Sequence, residues 1–359
     1  MKRLKTIYLI LLIITVIIIT GVCLTYNYML SPTGKSKDII EVEIPKGTPS
    51  RGIATILKNN DLIRNERFFI IYLRIFNYND LKAGHYEFSK SMGVKNLVNE
   101  LREGSKKNPD EISLTIREGI HMRDIAKLIS KHTNNSYDEV IAKANDGEYI
   151  NKLKEKYWFI TDELDNKDLY YKLEGYLFPE TYRLTNKNVS VEYIFNKALD
   201  QMGRVLEPMR KDIEDSRFSV HEFLSFVAVV EKESSRKADR GKIASVFMNR
   251  LNKNMPLGSD PTTRYACKID NKNQVLSKAN FAMRSLYNTR LTDGLMNGKV
   301  PVGPISTVSK MSMEASLYPP LTDYLFFIAN IQTLETFFYV SYNDFLKKKD
   351  ELREINGGF

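Results

Sequence analysis

A chain of 359 residues, 43% hydrophobic and 27% charged, is an ordinary globular protein with room for two or three domains, not a disordered or fibrous one. Its net charge of +9 suits anionic surfaces, but Lys and Arg are spread along the chain and no nucleic-acid motif appears, which argues against nucleic acid as a partner. Cys23 and Cys267 are too few and too far apart for a disulfide framework, and His85, His121, His132 and His221 lack ligand spacing, so neither metal nor cofactor is expected.

Residues 1–6 carry Lys2, Arg3 and Lys5 with no acid and read as a cytoplasmic tail. Residues 7–27 read as a transmembrane anchor, apolar to Val22 apart from Tyr8, Thr15, Thr20 and Gly21. A cleaved signal is the rival reading, but the run is long for one and no A-x-A site follows. Ile19 to Cys23 hints at a lipoprotein box, with Val22 where a small residue belongs. No later stretch could cross again, so a single-pass protein of the cell membrane is expected, its C-terminal region extracytoplasmic.

Residues 28–38 read as a polar linker. Ile39 to Ile44 alternates like a strand, Pro45-Lys-Gly47 turns the chain, and Ile53, Ile56, Leu57 and Leu62 mark a helix. The apolar Phe68 to Phe76, a strand over Leu81 to Phe88 and a helix over Val94 to Leu101 complete a small α+β module. The opening then echoes faintly: strand Ile112 to Ile116, turn Arg117-Glu-Gly119, and a helix carrying Ile125, Ala126, Leu128 and Ile129. Helical pieces are expected over Tyr137 to Ala144 and Ile150 to Tyr157, with Trp158 as a core anchor.

Leu173 to Arg183, LEGYLFPETYR, mixes aromatics, a proline and two acids. It suits either a carbohydrate face, where rings stack on sugars and acids accept from hydroxyls, or a turn packed on the core. After helix Val191 to Val205 comes SVHEFLSFVAVVEKESSRKADRGKIASVFMNRL, residues 219–251. Ser219 with Glu222 is a capping box, and the apolar helix that follows ends in Glu231-Lys-Glu233. Two residues apart, the glutamates lie roughly 200° apart around a helix, so they cannot share one cleft. Burial at the end of an apolar helix raises a carboxyl pKa towards that of a general acid; otherwise the run is a solvated terminus. Met255 to Ala266 and Gly294 to Ile305 are rich in Gly and Pro and read as irregular loops. Val308 to Leu317 reads as a helix, Tyr324 to Ala329 as a buried strand with Phe337 to Val340 as partner, and Tyr342 to Ile355 as a closing helix.

Taken in order, LEGYLFPETY, VVEKES, KIASVFMNRL, MPLGSDPTTRYA and YNT resemble the membrane-anchored endolytic murein transglycosylases, the YceG-like or MltG family. The resemblance covers nearly the whole chain. It implies an α+β architecture with a transmembrane helix, a LysM-like module over residues 39–108, and a mainly helical catalytic region over 109–359 carrying a helical insertion at about 133–168. It places the catalytic acid on Glu233, followed by Ser234. Glu174, Tyr176, Pro179, Glu180, Tyr182, Asn249, Arg250, Ser259, Asp260, Pro261, Thr262, Tyr287 and Asn288 would line the glycan cleft. Departures are Asp239 before Arg240 where Glu is usual, Gly258 for Gln, Ala266 for Gly, a loop lengthened around Met296 to Lys299, and no evident His and Thr around Glu335 to Ser341.

The activity implied is cleavage of the β-1,4 bond between N-acetylmuramic acid and N-acetylglucosamine in nascent peptidoglycan, leaving 1,6-anhydro ends and setting strand length. Partners would be glycan strands, the membrane, and wall synthases with elongation or division proteins. Two other readings stand beside it: a lysozyme-type hydrolase with a second carboxylate from Glu174, Glu180 or Asp260, and a wall-binding scaffold without catalysis.

Overall fold

The structure, a computed structural model, describes residues 2–104, 111–234, 236–271 and 273–355. It divides into units of residues 1–109 and 110–359, each with its own core. The expected boundary at residues 108 and 109 lies outside the described residues.

The first unit begins with α1 (Lys2–Leu30). From Leu12 to Leu30 this helix has no charged residue and no buried side chain; its 19 residues make about 28 Å, enough to cross a bilayer's hydrocarbon. It is the one helix among the described residues with that length and apolarity. The module that follows is β1 (Ile40–Ile44), α2 (Ser50–Asn59), α3 (Glu66–Ile75), β2 (Gly84–Phe88) and α4 (Val94–Glu103). The strands pair antiparallel, Val42 opposite Tyr86. Alternation sends Val42, Ile44, Tyr86 and Phe88 inward and leaves Glu41, Glu43, His85 and Glu87 outside. Leu57, Phe69, Leu97 and Leu101 close this core from the helices.

The stretch read as a linker is fastened to the module. Thr33 Oγ1 donates to the Asp61 carbonyl at 2.6 Å, Gly34 N–H to the Lys90 carbonyl at 2.9 Å, and Ser91 N–H to the Ser36 carbonyl at 3.1 Å.

In the second unit β3 (Ile112–Thr115) feeds α5 (Met122–His132), α6 (Tyr137–Asn145) and α7 (Gly147–Lys156). Gly119 turns between β3 and α5 at φ +67°, as Gly47 at φ +86° turns between β1 and α2, so both openings share a strand, glycine turn and helix. The stretch read as an insertion joins the main core through Val140, Ala144, Ile150 and Leu153. Trp158 is half-buried against that core, with the Arg210 guanidinium 4.8 Å from its ring centre. β4 (Thr181–Leu184) pairs antiparallel with β3, Leu114 opposite Tyr182. Four residues after a proline are too short a run to show a strand in the sequence.

α8 (Val191–Leu206), the short α9 (Arg210–Glu214), α10 (Val220–Glu233) and α11 (Arg240–Asn252) make the helical centre. α10 is buried from Phe223 to Glu231, with Ser219 and the exposed Glu222 capping its start reciprocally. Residues 255–266, expected to be irregular, contain α12 (Asp260–Ala266), because Pro261 sits in the first turn, where its missing N–H is harmless. The short α13 (Lys278–Phe281) follows. The Gly/Pro loop lies along α10: Ser225 Oγ donates to the Pro301 carbonyl at 2.7 Å, and His221 Nε2–H to that of Val302 at 2.9 Å. α14 (Lys310–Leu317), β5 (Phe326–Ala329), its antiparallel partner β6 (Thr336–Tyr339) and α15 (Tyr342–Glu351) complete the unit. The last hairpin is half-buried rather than buried, touching the core through Phe327 on Phe247.

Candidate active site

The two glutamates at the end of α10 part company as helix geometry requires. Glu231 turns inward and is 8% exposed. It accepts from Arg240 Nη2 at 2.7 Å, from Ser309 N–H at 3.0 Å and from Ser309 Oγ at 2.6 Å, tying α10 to α11 and to the start of α14. Its carboxylate is consumed by this pairing.

Glu233 faces elsewhere and is half-buried at the last helical position. Burial pushes its carboxyl up to about 7. The negative Asp260 pushes the same way, while the Ser259 hydroxyl, Arg290 and Arg250 pull it down. Ser259 Oγ is buried, and its hydroxyl lies beside this acid. Asp260 is ion-paired with Arg290, whose guanidinium also lies 5.4 Å from the Phe281 ring centre. The result is a carboxyl that keeps a substantial protonated fraction near neutral pH, flanked by a hydroxyl and an ion pair, which suits general acid catalysis.

Much of the expected cleft is scaffold under this acid. Thr262 Oγ1 donates to the Ser259 carbonyl at 2.6 Å and lies 2.8 Å from Thr289 Oγ1; Ser259 N–H donates to Thr289 Oγ1 at 3.0 Å. Asn288 accepts from Thr263 Oγ1 at 2.7 Å and donates to the carbonyls of Phe281 and Met283. Pro261, half-buried, shapes the first turn of α12. Tyr287 is buried in a ring cluster with Tyr170 and Tyr265. Asn249 donates to the carbonyls of Thr322 and Tyr324, and Arg250 to those of Leu325 and Leu257. Burial beside Arg290 lowers Arg250 to about 10. Ser234 Oγ donates back to the Val230 carbonyl at 2.8 Å and ends the helix.

The upstream motif is more deeply packed. Glu174 is 1% exposed, accepts from Met122 N–H at 2.9 and 3.0 Å and from Tyr265 OH at 3.0 Å, and so caps α5 from within the core. Burial raises its carboxyl to about 7 as well. Tyr176 is fully buried and donates to His221 Nδ1 at 2.7 Å; Tyr182 OH donates to the Phe178 carbonyl at 2.7 Å. Pro179 is half-buried, and Glu180 alone of this motif's expected residues is exposed. The motif is thus chiefly a packed turn. Its rings and buried acid have the composition of a sugar platform, so composition could not separate the two readings.

Arg290 and Arg240 went unrecognised in the sequence. Arg290 directly follows the Tyr287-Asn288-Thr289 motif, which was the available signal. A cavity of about 290 Å³ lies at the other end of α10, lined by Arg217, His221, Glu222 and Lys299 among others.

Comparison with known proteins agrees with this architecture. The YceG-like family profile matches residues 42–351. The chain is 37% identical over 315 residues to the endolytic murein transglycosylase of Bacillus subtilis (strain 168), covering 87% of this chain and 85% of that protein. It is 32% identical over 323 residues to the endolytic murein transglycosylase of Streptococcus pneumoniae serotype 2, covering 85% of this chain but 58% of that longer protein. A crystal structure of a yceG-like protein from Listeria monocytogenes superposes with a TM-score of 0.61 at 34% identity, over 88% of this chain and all of that one. The chain belongs to the YceG-like family.

Proposed function

We propose that this chain is a peptidoglycan lytic transglycosylase acting inside glycan strands, with Glu233 as its acid. The carrying observation is the carboxyl of Glu233, raised to about 7 at the end of a buried helix and beside Ser259 and Asp260. Two relatives that carry the name endolytic murein transglycosylase support the substrate class.

In the proposed reaction Glu233 gives its proton to the glycosidic oxygen as the bond to muramic C1 breaks. The muramic C6 hydroxyl then attacks C1 and passes its proton to the Glu233 carboxylate. The products are a free 4-hydroxyl on one strand and a 1,6-anhydro end on the other, and the enzyme regains its starting state. The nucleophile belongs to the substrate, so one protein carboxyl suffices, unlike the pair in an ordinary glycosidase. In this reading Ser259, Asp260 and Arg290, the neighbours of Glu233, contact the sugars, and Glu180 and Pro179 are further glycan contacts. We assign residues 39–108 as a LysM-like glycan-binding module. α1 is the anchor, its basic end cytoplasmic and the chain after it outside, where cleavage of nascent strands would set their length. Wall synthases and elongation or division proteins are the partner class for an enzyme tethered there.

Asp260 keeps a hydrolase reading open, since it is a second acid in the field of Glu233. Reaction in H2(18)O separates the two. A transglycosylase leaves the new ends unlabelled, whereas a hydrolase puts one heavy oxygen on each new C1 and would overturn the proposal.

A further inference from the structure

The first unit carries an apolar helix face that its own core leaves uncovered. α3 buries Phe69, Tyr72 and Leu73. On the opposite side Ile71 is 42% exposed and Ile75 62%, and Phe76 just beyond is 50%. Arg67, Ile71, Arg74 and Ile75 fall within an arc of roughly 100° on that helix, while Glu66 lies off it. An exposed stripe of two isoleucines bordered along one side by two arginines is the pattern of a helix lying in a membrane interface.

The same helix is tied to the anchor. Phe68, on the edge of that arc, meets Tyr26 of α1 with ring centres 6.3 Å apart. Just before α3, Arg64 places its guanidinium 4.6 Å from the Tyr28 ring centre and donates through Nη2 to the Pro32 carbonyl at 2.6 Å. Tyr26 is four residues from the end of α1, about 6 Å along the helix. Tyr26 and Tyr28 would therefore sit at headgroup level, where aromatic residues collect. With residues 33–36 hydrogen-bonded to the module, no slack separates anchor from module.

We propose that α3 lies on the outer surface of the bilayer, with Ile71, Ile75 and Phe76 set into the boundary between headgroups and acyl chains and Arg67 and Arg74 on anionic lipid phosphates. The module is then seated on the membrane instead of swinging from it. This rests on reading α1 as the anchor, and the test separates the two claims.

The full chain with Trp158→Phe would carry one new tryptophan, at Ile75→Trp, at Ile17→Trp inside α1, or at Glu87→Trp on the outward face of β2. Each protein is reconstituted into phosphatidylglycerol-containing vesicles with bromine on the upper acyl chain. Loss of emission at positions 17 and 75 but not 87 is expected, and Arg67→Glu with Arg74→Glu should weaken the loss at 75 alone. Quenching at 17 with none at 75 would overturn the proposal while keeping the anchor, leaving the face free for a protein partner. No quenching at 17 would remove the anchor reading and this proposal together.

Discussion

At the scale of single residues, two acids separated by one lysine have opposite fates. Glu231 is committed to Arg240 and Ser309, so Glu231→Gln should destabilise the second unit by about 3–5 kcal/mol, the usual consequence of leaving a buried charge unpaired. Thermal unfolding measures this directly. Glu233 is instead held as an acid, raised to about 7. As a general acid it must be protonated in the free enzyme, so kcat/KM should fall about tenfold per pH unit above about 7. A profile with no descending limb there would assign the proton to another group. The opposition of the two glutamates was legible from the 200° rule. Which of them is paired and which is raised was not legible from the residues, because the deciding partners, Ser259, Asp260, Arg240 and Ser309, come from elsewhere in the chain.

At the scale of elements, periodic helices and glycine turns were legible, whereas two short elements beside prolines were not. α10 and α11 followed from a capping box and from helical spacing. α12 was hidden by its proline, and β4 by its shortness. LEGYLFPETYR left a sugar face and a packed turn equally open, because burial depends on what packs over it. Gly175 shows the constraint: it adopts φ +79°, and a Cβ there would lie 2.3 Å from Pro304 Cβ. Gly175→Ala should cost about 1–3 kcal/mol in backbone strain, and more by displacing the Gly/Pro loop from α10. A drop in Tm with faster proteolysis of residues 294–305 is the expected reading, and unchanged stability would contradict this packing.

At the scale of the whole molecule, burial raises the pKa of Glu174 and of Glu233 in the second unit. A folded-state pKa above the unfolded value favours the fold at low pH, and that advantage is lost as pH rises. From about 4.5 to about 7, stability should decline by something on the order of 3 kcal/mol for Glu174 alone. Glu174→Gln should flatten that slope in denaturant titrations across this range; an unaltered slope would mean that Glu174 titrates normally. The order of a long apolar helix, small paired strands with helices, and then a mainly helical stretch was readable from periodicity and turn residues. The way the module grips the end of α1 was not, since it depends on hydrogen bonds from residues that look like linker.

The most direct measurement is the chemistry of the ends made by the full chain from uncross-linked glycan strands, read by mass spectrometry beside Glu233→Gln. Internal cuts leaving 1,6-anhydro ends are expected, falling about 10²- to 10⁴-fold in the variant while strand binding persists. Reducing ends, or a variant that cuts as fast as the native chain, would contradict the assignment of Glu233 as the acid of a lytic transglycosylase.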